Sequence, residues 1–82
     1  MKKVIRIGRD IINDIVINDP FVGRSVLAIM VDHDGECYAE DLVSTNGVWI
    51  NNKRIYGKVK LHPDDEIRIG NTTLPWKEYI EG

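Results

Sequence analysis

Apolar and polar residues alternate along nearly the whole chain. Val4, Ile5 and Ile7 form one short apolar run, Ile15-Val16-Ile17 a second, and Val26 to Val31 a longer one that reads as more deeply buried. Cys37 to Leu42, Val48 to Ile50, Val59 to Leu61, Ile67 to Ile69 and Thr72 to Leu74 follow. A period of two sends successive side chains to opposite faces of a strand, and the β-branched residues that dominate these runs suit a pleated surface. Breakers separate the runs: Asn18-Asp19-Pro20, Asp32-His33-Asp34-Gly35, Asn51-Asn52-Lys53 and His62-Pro63-Asp64-Asp65. Asp34-Gly35 and Asn51-Asn52 are tight-hairpin signals. Short strands at this spacing predict an all-β sandwich or barrel. Ile7, Ile17, Leu42, Ile50, Ile67 and Ile69 are expected in its core. No window of about eleven residues carries a helical stripe. The one helix candidate is the tail, Trp76 to Ile80, set off from the last strand by Pro75.

Composition narrows the class. The 82 residues make a single domain, 1–82, near the size at which one core becomes marginal. The chain is 43% hydrophobic and 29% charged, as soluble globular proteins are. A net charge of −2 gives no reason to expect nucleic acid or an anionic membrane as partner. No apolar run approaches the length of a membrane span. Met1-Lys2-Lys3 has the charge of a signal-peptide start, but Val4-Ile5-Arg6-Ile7 is too short for the apolar region that must follow. A lone cysteine, Cys37, cannot pair within the chain and fits a reducing compartment, so a cytoplasmic location is expected.

Candidate chemistry sits between the strands. Ser44-Thr45-Asn46-Gly47 offers two hydroxyls and an amide beside a glycine free to take a positive φ, although Asn-Gly also serves as a plain hairpin turn. Gly8-Arg9 follows the first strand, and Val22-Gly23-Arg24-Ser25 follows Pro20. Gathered at one end of a sandwich, these loops would hold a phosphate, with arginine forks and hydroxyls on its oxygens. Arginines in loops are, however, mostly solvated charge. Asp32-x-Asp34-Gly35-Glu36 resembles the start of a calcium loop but lacks the later ligands, so a solvated hairpin is expected and no metal or cofactor. Cys37 beside His33 lacks a third orienting group and reads as a half-buried strand residue, and Trp49 and Trp76 as core or edge packing.

The order and spacing of these pieces resemble the forkhead-associated (FHA) domain. The resemblance rests on Ile7-Gly8-Arg9, on Asn13-Asp14-Ile15-Val16-Ile17 with Asp19-Pro20, and on Val22 to Ile29. It continues through Asp41 to Asn51 and Leu61 to Gly70, and so covers essentially the whole chain. It implies an FHA-like (SMAD/FHA) β-sandwich of about eleven short, antiparallel-rich strands, non-enzymatic, whose end loops bind threonine-phosphorylated proteins or peptides in signalling. By position, Arg9 matches the arginine that grips the phosphate, and Arg24 a residue that reaches the phosphate or the peptide backbone. Thr45 matches the threonine that meets the phosphate, Asn46 the asparagine that bonds the peptide main chain, and Ser44 a supporting serine. Gly8 and Gly47 match glycines that serve turns.

Two positions depart from the family pattern inside the site. Gly23 stands where the family has a phosphate-binding serine, and Val26 where it has a bracing histidine. Ser25 should point away from the site if the strand has already begun. Two functions therefore stand side by side. One is a phosphothreonine-recognition module, acting as a monomer or a weak homo-oligomer. The other is a degenerate FHA domain that binds a protein partner, or itself, independently of phosphorylation.

Overall fold

In β1 (Lys3–Gly8), Ile5 and Ile7 point inward while Val4 and Arg6 remain exposed, as a period of two requires. The same rule shapes the rest of the computed structural model, which describes residues 3–81. Eight more strands follow: β2 (Ile15–Val16), β3 (Leu27–Val31), β4 (Cys37–Asp41), β5 (Val48–Ile50), β6 (Lys53–Arg54), β7 (Lys58–Leu61), β8 (Ile67–Ile69) and β9 (Thr72–Leu74). They make a five-stranded sheet, ordered β2-β1-β3-β4-β7, and a four-stranded sheet, ordered β6-β5-β8-β9. Only the β1–β2 pair is parallel among the described strands.

The sandwich is as expected, with nine strands among the described residues against an expectation of about eleven. The segment from Ile17 to Val26 is loop rather than strand. Its two ends stay tied to β1, Ile17 N–H on the Gly8 carbonyl and Val26 N–H on that of Ile7, and between them Phe21 and Val22 N–H go to the side chain and the carbonyl of Asp19. β6 carries two charged residues and no apolar alternation, so no strand was expected there. Asn51 and Asn52 nevertheless both take positive φ, 52° and 65°, which is the hairpin geometry that pairs Ile50 with Lys53 and Trp49 with Arg54.

Between the sheets lie Ile7, Ile17, Ile50, Ile67 and Ile69, all buried, together with Leu27, Ile29, Val48 and Leu61. Leu42 is the exception among the expected core residues. It follows the last residue of β4, just before the fully solvated Val43, and is only half-buried. Central strand β3 is buried along its whole length. The tail is a helix, α1 (Trp76–Glu81), and Trp76 is buried with its indole N–H on the Asp65 carbonyl at 2.8 Å. Among the described residues no helix is long and apolar enough to cross a membrane.

Strand register sets where the loops go. Ile7 lies opposite Leu27, Leu27 opposite Asp41, and Val48 opposite Ile69. The chain after β1, before β3, and between β4 and β5 therefore meets at one end of the sandwich. The acidic Asp32–Glu36 hairpin and α1 lie at the other end. There the Asp32 carboxylate accepts the Asp34 and Glu36 N–H groups at 3.0 and 2.9 Å, which closes the hairpin as expected.

Candidate functional site

After Gly8 the chain turns away from the sheet, and backbone hydrogen bonds fix this turn against the loop that precedes β3. Arg9 N–H donates to the Gly23 carbonyl at 2.9 Å and Asp10 N–H to the Arg24 carbonyl at 3.1 Å. The approach is close enough that a Cβ on Gly8 would overlap the Arg24 carbonyl oxygen and lie 2.7 Å from Ser25 Cα. Gly8 is thus required for contact rather than for a turn. Asn13 reinforces the junction from inside. It is 7% exposed, its amide donates to the Asp10 and Arg24 carbonyls, and its oxygen accepts the Ser25 hydroxyl at 2.8 Å. Ser25 faces this brace, although it lies in the loop and β3 begins only at Leu27.

The third loop, residues 42–47, is held from below. Asp41 accepts both the backbone N–H and the hydroxyl of Ser44 through one carboxylate oxygen. Arg54 reaches under the loop from β6 and donates to the Ser44 and Thr45 carbonyls at 3.2 and 3.3 Å. Gly47, at φ 89°, leaves no room for a Cβ over the Arg54 guanidinium. Asn46 donates its amide to the Phe21 carbonyl at 2.6 Å and so joins the third loop to the second.

Arg9, Gly23, Val26, Ser44, Thr45 and Asn46 come together as lining of one cleft of about 160 Å³, with Phe21, Val22 and Ile69 beside them. Arg24 is exposed and does not line it; its carbonyl is engaged by Asn13 and Asp10. The cleft combines one guanidinium, two hydroxyls and an amide with an apolar wall, so it suits an oxyanion carried on a partly apolar group. A larger cavity of about 390 Å³ lies at the opposite end, against Cys37, Leu61, Trp76 and Ile80. Burial, then Glu36 and Asp32, push the Cys37 thiol up, so it is poorly suited to act as a nucleophile.

Asp19 pins the second loop to the opposite sheet. Its carboxylate accepts Phe21 N–H at 2.9 Å and Asn71 N–H at 2.8 Å. These bonds, the one from Asn71 foremost, hold its pKa below the usual carboxylate value of 3.8. A depressed folded-state pKa stabilises above the unfolded value and is lost as pH falls through the folded one. Stability is therefore expected to fall once pH drops below about 4. Asp19→Asn should lower the melting temperature at pH 7 and narrow the gap between pH 7 and pH 3, because an amide NH₂ would face one of the two N–H donors. Thermal melts across pH check this.

A family model described as FHA domain matches residues 5–70. The chain belongs to the FHA domain family. It is 42% identical over 64 residues to the transcriptional regulatory protein EmbR of Mycobacterium tuberculosis, a match covering 78% of this chain and 16% of that protein. The FHA domain thus spans only 16% of the length of the curated relatives it matches. Among solved structures, the FHA domain of CT664 protein from Chlamydia trachomatis superposes with a TM-score of 0.83. That match is at 29% identity and covers 87% of this chain and 72% of that one. The N-terminal FHA domain of S. cerevisiae Rad53p, in complex with a phosphothreonine peptide, gives 0.76 at 30% identity, covering 84% and 57%. M. tuberculosis EmbR in complex with a low-affinity phosphopeptide gives 0.75 at 39% identity, covering 80% and 17%.

Sequence reasoning missed the residues that hold this FHA domain's loops in place. Asn13 and Asp19 fall inside motifs that carry the resemblance but have no role assigned there, and Arg54 falls outside them. The only available signal was the Asn51-Asn52 turn, whose geometry implies β6 and so places Arg54 opposite Trp49. Val43 takes φ 56° although β-branched, and 93% of it is exposed. Val43→Asn, which tolerates this conformation, should raise stability by about 1 kcal/mol in thermal or urea unfolding.

Proposed function

We propose that the chain is a phosphothreonine-recognition module that binds a threonine-phosphorylated segment of a partner protein. The observation that carries this reading is the cleft that brings Arg9, Ser44, Thr45 and Asn46 together on a rigid sandwich end. Arg9 supplies the charged fork for the phosphate, Thr45 a hydroxyl beside it, and Ser44 the support beneath. Asn46, anchored to Phe21, presents its remaining amide capacity to a peptide main chain. Arg24 stands outside the cleft, where it can meet the peptide rather than the phosphate. Titration of the domain with one peptide, phosphorylated and unphosphorylated, tests the reading. Phosphate-dependent binding is expected, and weak, because Gly23 contributes no hydroxyl. Equal binding of both forms would favour the phosphate-independent FHA domain, for which the apolar Val26 and the bare Gly23 are the supporting observation. The lone Cys37, unpaired, supports a cytoplasmic setting for either.

Gly23 makes the reading sharper. It lines the cleft, and its backbone lies outside the positive-φ region that favours glycine. A Cβ there would meet only Val26 Cγ1, at 3.1 Å, so the valine must give by a few tenths of an ångström. Gly23→Ser should tighten phosphopeptide binding by about 1 kcal/mol, roughly fivefold, as one added hydrogen bond does. Calorimetric titration of both proteins with one peptide measures this, and an unchanged affinity with the fold intact would place residue 23 off the phosphate.

A further inference from the structure

We propose that Arg54 is a positioning residue for the bound phosphate: from beneath the third loop it turns consecutive backbone N–H groups, those of Thr45, Asn46 and Gly47, into an oxyanion-binding nest. The proposal rests on the phosphothreonine reading above and explains how a side chain outside the cleft sets the strength of that same site.

Consecutive carbonyls of this loop are held from one side. The Arg54 guanidinium donates to those of Ser44 and Thr45 at 3.2 and 3.3 Å, and the Trp49 indole N–H to that of Asn46 at 3.4 Å. Arg54 on β6 lies opposite Trp49 on β5, so one strand pair sets every one of these contacts. In a trans peptide the N–H points away from the C=O of the same unit, and no cis bond occurs among the described residues. The Thr45 and Asn46 N–H groups therefore point away from Arg54, and that of Gly47 away from the Trp49 indole N–H. None of them donates to a partner among the described residues. Gly47, at φ 89°, supplies the left-handed step with which successive N–H groups form an anion-binding concavity. The seat of the guanidinium is specific, since a Cβ on Gly47 would lie 2.7 Å from Arg54 Nε and 3.1 Å from Trp49 Nε1. Arg54 Nε is buried without a hydrogen-bond partner among the described residues, so the loop carbonyls and the Tyr56 ring, 5.3 Å away, are what hold the group. Its charge also polarises the peptide units it touches, which strengthens their N–H groups as donors. Ser44, Thr45, Asn46 and Gly47 line the cleft and Arg54 does not, so Arg54 acts on the phosphate only through the loop.

The test follows the backbone amides by NMR on the nitrogen-labelled chain, titrated with one phosphothreonine peptide and with its unphosphorylated form. At saturation the Thr45, Asn46 and Gly47 amide protons should move downfield with the phosphorylated peptide only. Arg54→Met, which keeps an apolar stem but no donor, should weaken that peptide about tenfold and shrink the Thr45 and Asn46 shifts to less than about half. Arg54→Lys, with the charge but not the fork, should fall between. Trp49→Phe, which loses only the indole N–H, should reduce the Gly47 shift and cost about twofold in affinity. If Arg54→Met does not fold, these last two variants decide, and wild-type affinity and shifts in both overturn the proposal. Phosphate-dependent binding that leaves the loop amides unmoved, or that Arg54→Met retains in full, overturns this proposal alone. Weaker binding by Arg54→Met with the amide shifts preserved would make Arg54 merely structural and overturn it too. Absence of phosphate dependence in the wild type overturns the phosphothreonine reading, and this proposal with it.

Discussion

Gly8→Ala is expected to cost about 3 kcal/mol or more, because the added methyl meets backbone rather than side-chain atoms. The new Cβ would overlap the Arg24 carbonyl oxygen and lie 2.7 Å from Arg24 C and Ser25 Cα, all of them backbone atoms. Backbone cannot rotate aside as a side chain can, so the strand or the loop must move as a unit. Either movement strains the hydrogen bonds Arg9 to Gly23, Asp10 to Arg24 and Val26 to Ile7, and disturbs the Asn13 brace. For a domain of this size each kcal/mol shifts the melting temperature by roughly 4–8 °C, so a fall of about 15 °C or more should appear in a thermal melt. Gly57→Ala is the control. Its backbone is at φ 70° but nothing lies within 4 Å of the added carbon, so only the conformational strain of about 1 kcal/mol remains. A drop for Gly8→Ala no larger than for Gly57→Ala would mean that the close approach of β1 to the second loop is not maintained in solution. The same substitution should weaken phosphopeptide binding, because Arg9 is positioned by the hydrogen bonds that the methyl disrupts.

How much was legible in the sequence depends on what kind of interaction made each feature. Strands built on apolar alternation were legible because burial of one face is a local pattern: Ile5 and Ile7, Ile67 and Ile69 declare their own side. β6 was not, since Lys53 and Arg54 have no buried face and pair only because the Asn51-Asn52 turn returns them to β5. Leu42 read as core by its place at the end of an apolar run, yet the strand stops at Asp41 and the chain turns outward. The cleft residues were legible through the family resemblance, which depends on motif order rather than on geometry. What no pattern could show was the bracing. Asn13, Asp19 and Arg54 act across separations of 11, 52 and 10 residues, and polar residues in loops look alike until their partners are known. Gly8 was legible as a glycine that mattered, but for a different reason. Its φ needs nothing special, and the demand for it comes from a neighbour distant in sequence.

Arg9→Ala should abolish phosphate-dependent binding while leaving the fold intact. Arg9 is exposed, and its backbone N–H, which the substitution keeps, is the group that bonds Gly23. The side chain is the one guanidinium that lines the cleft, since Arg24 lies outside it and Arg54 is turned toward the Ser44 and Thr45 carbonyls. A bidentate arginine–phosphate contact contributes two charge-assisted hydrogen bonds, each worth about 1.5–3 kcal/mol when well made. Losing it should cost on the order of 3 kcal/mol, more than a hundredfold in affinity. A site already lacking a hydroxyl at Gly23 has nothing with which to compensate, so the phosphorylated and unphosphorylated peptides should bind the variant alike. Arg9→Lys should fall between, because an ammonium keeps the charge but not the planar fork. The salt dependence separates the two contributions. Wild type and Arg9→Lys should both weaken as ionic strength rises, whereas Arg9→Ala should show little salt dependence, having lost the cation that meets the phosphate. Retained phosphate preference in Arg9→Ala would move the phosphate onto Arg24, and with it the point at which a bound segment crosses the end of the sandwich.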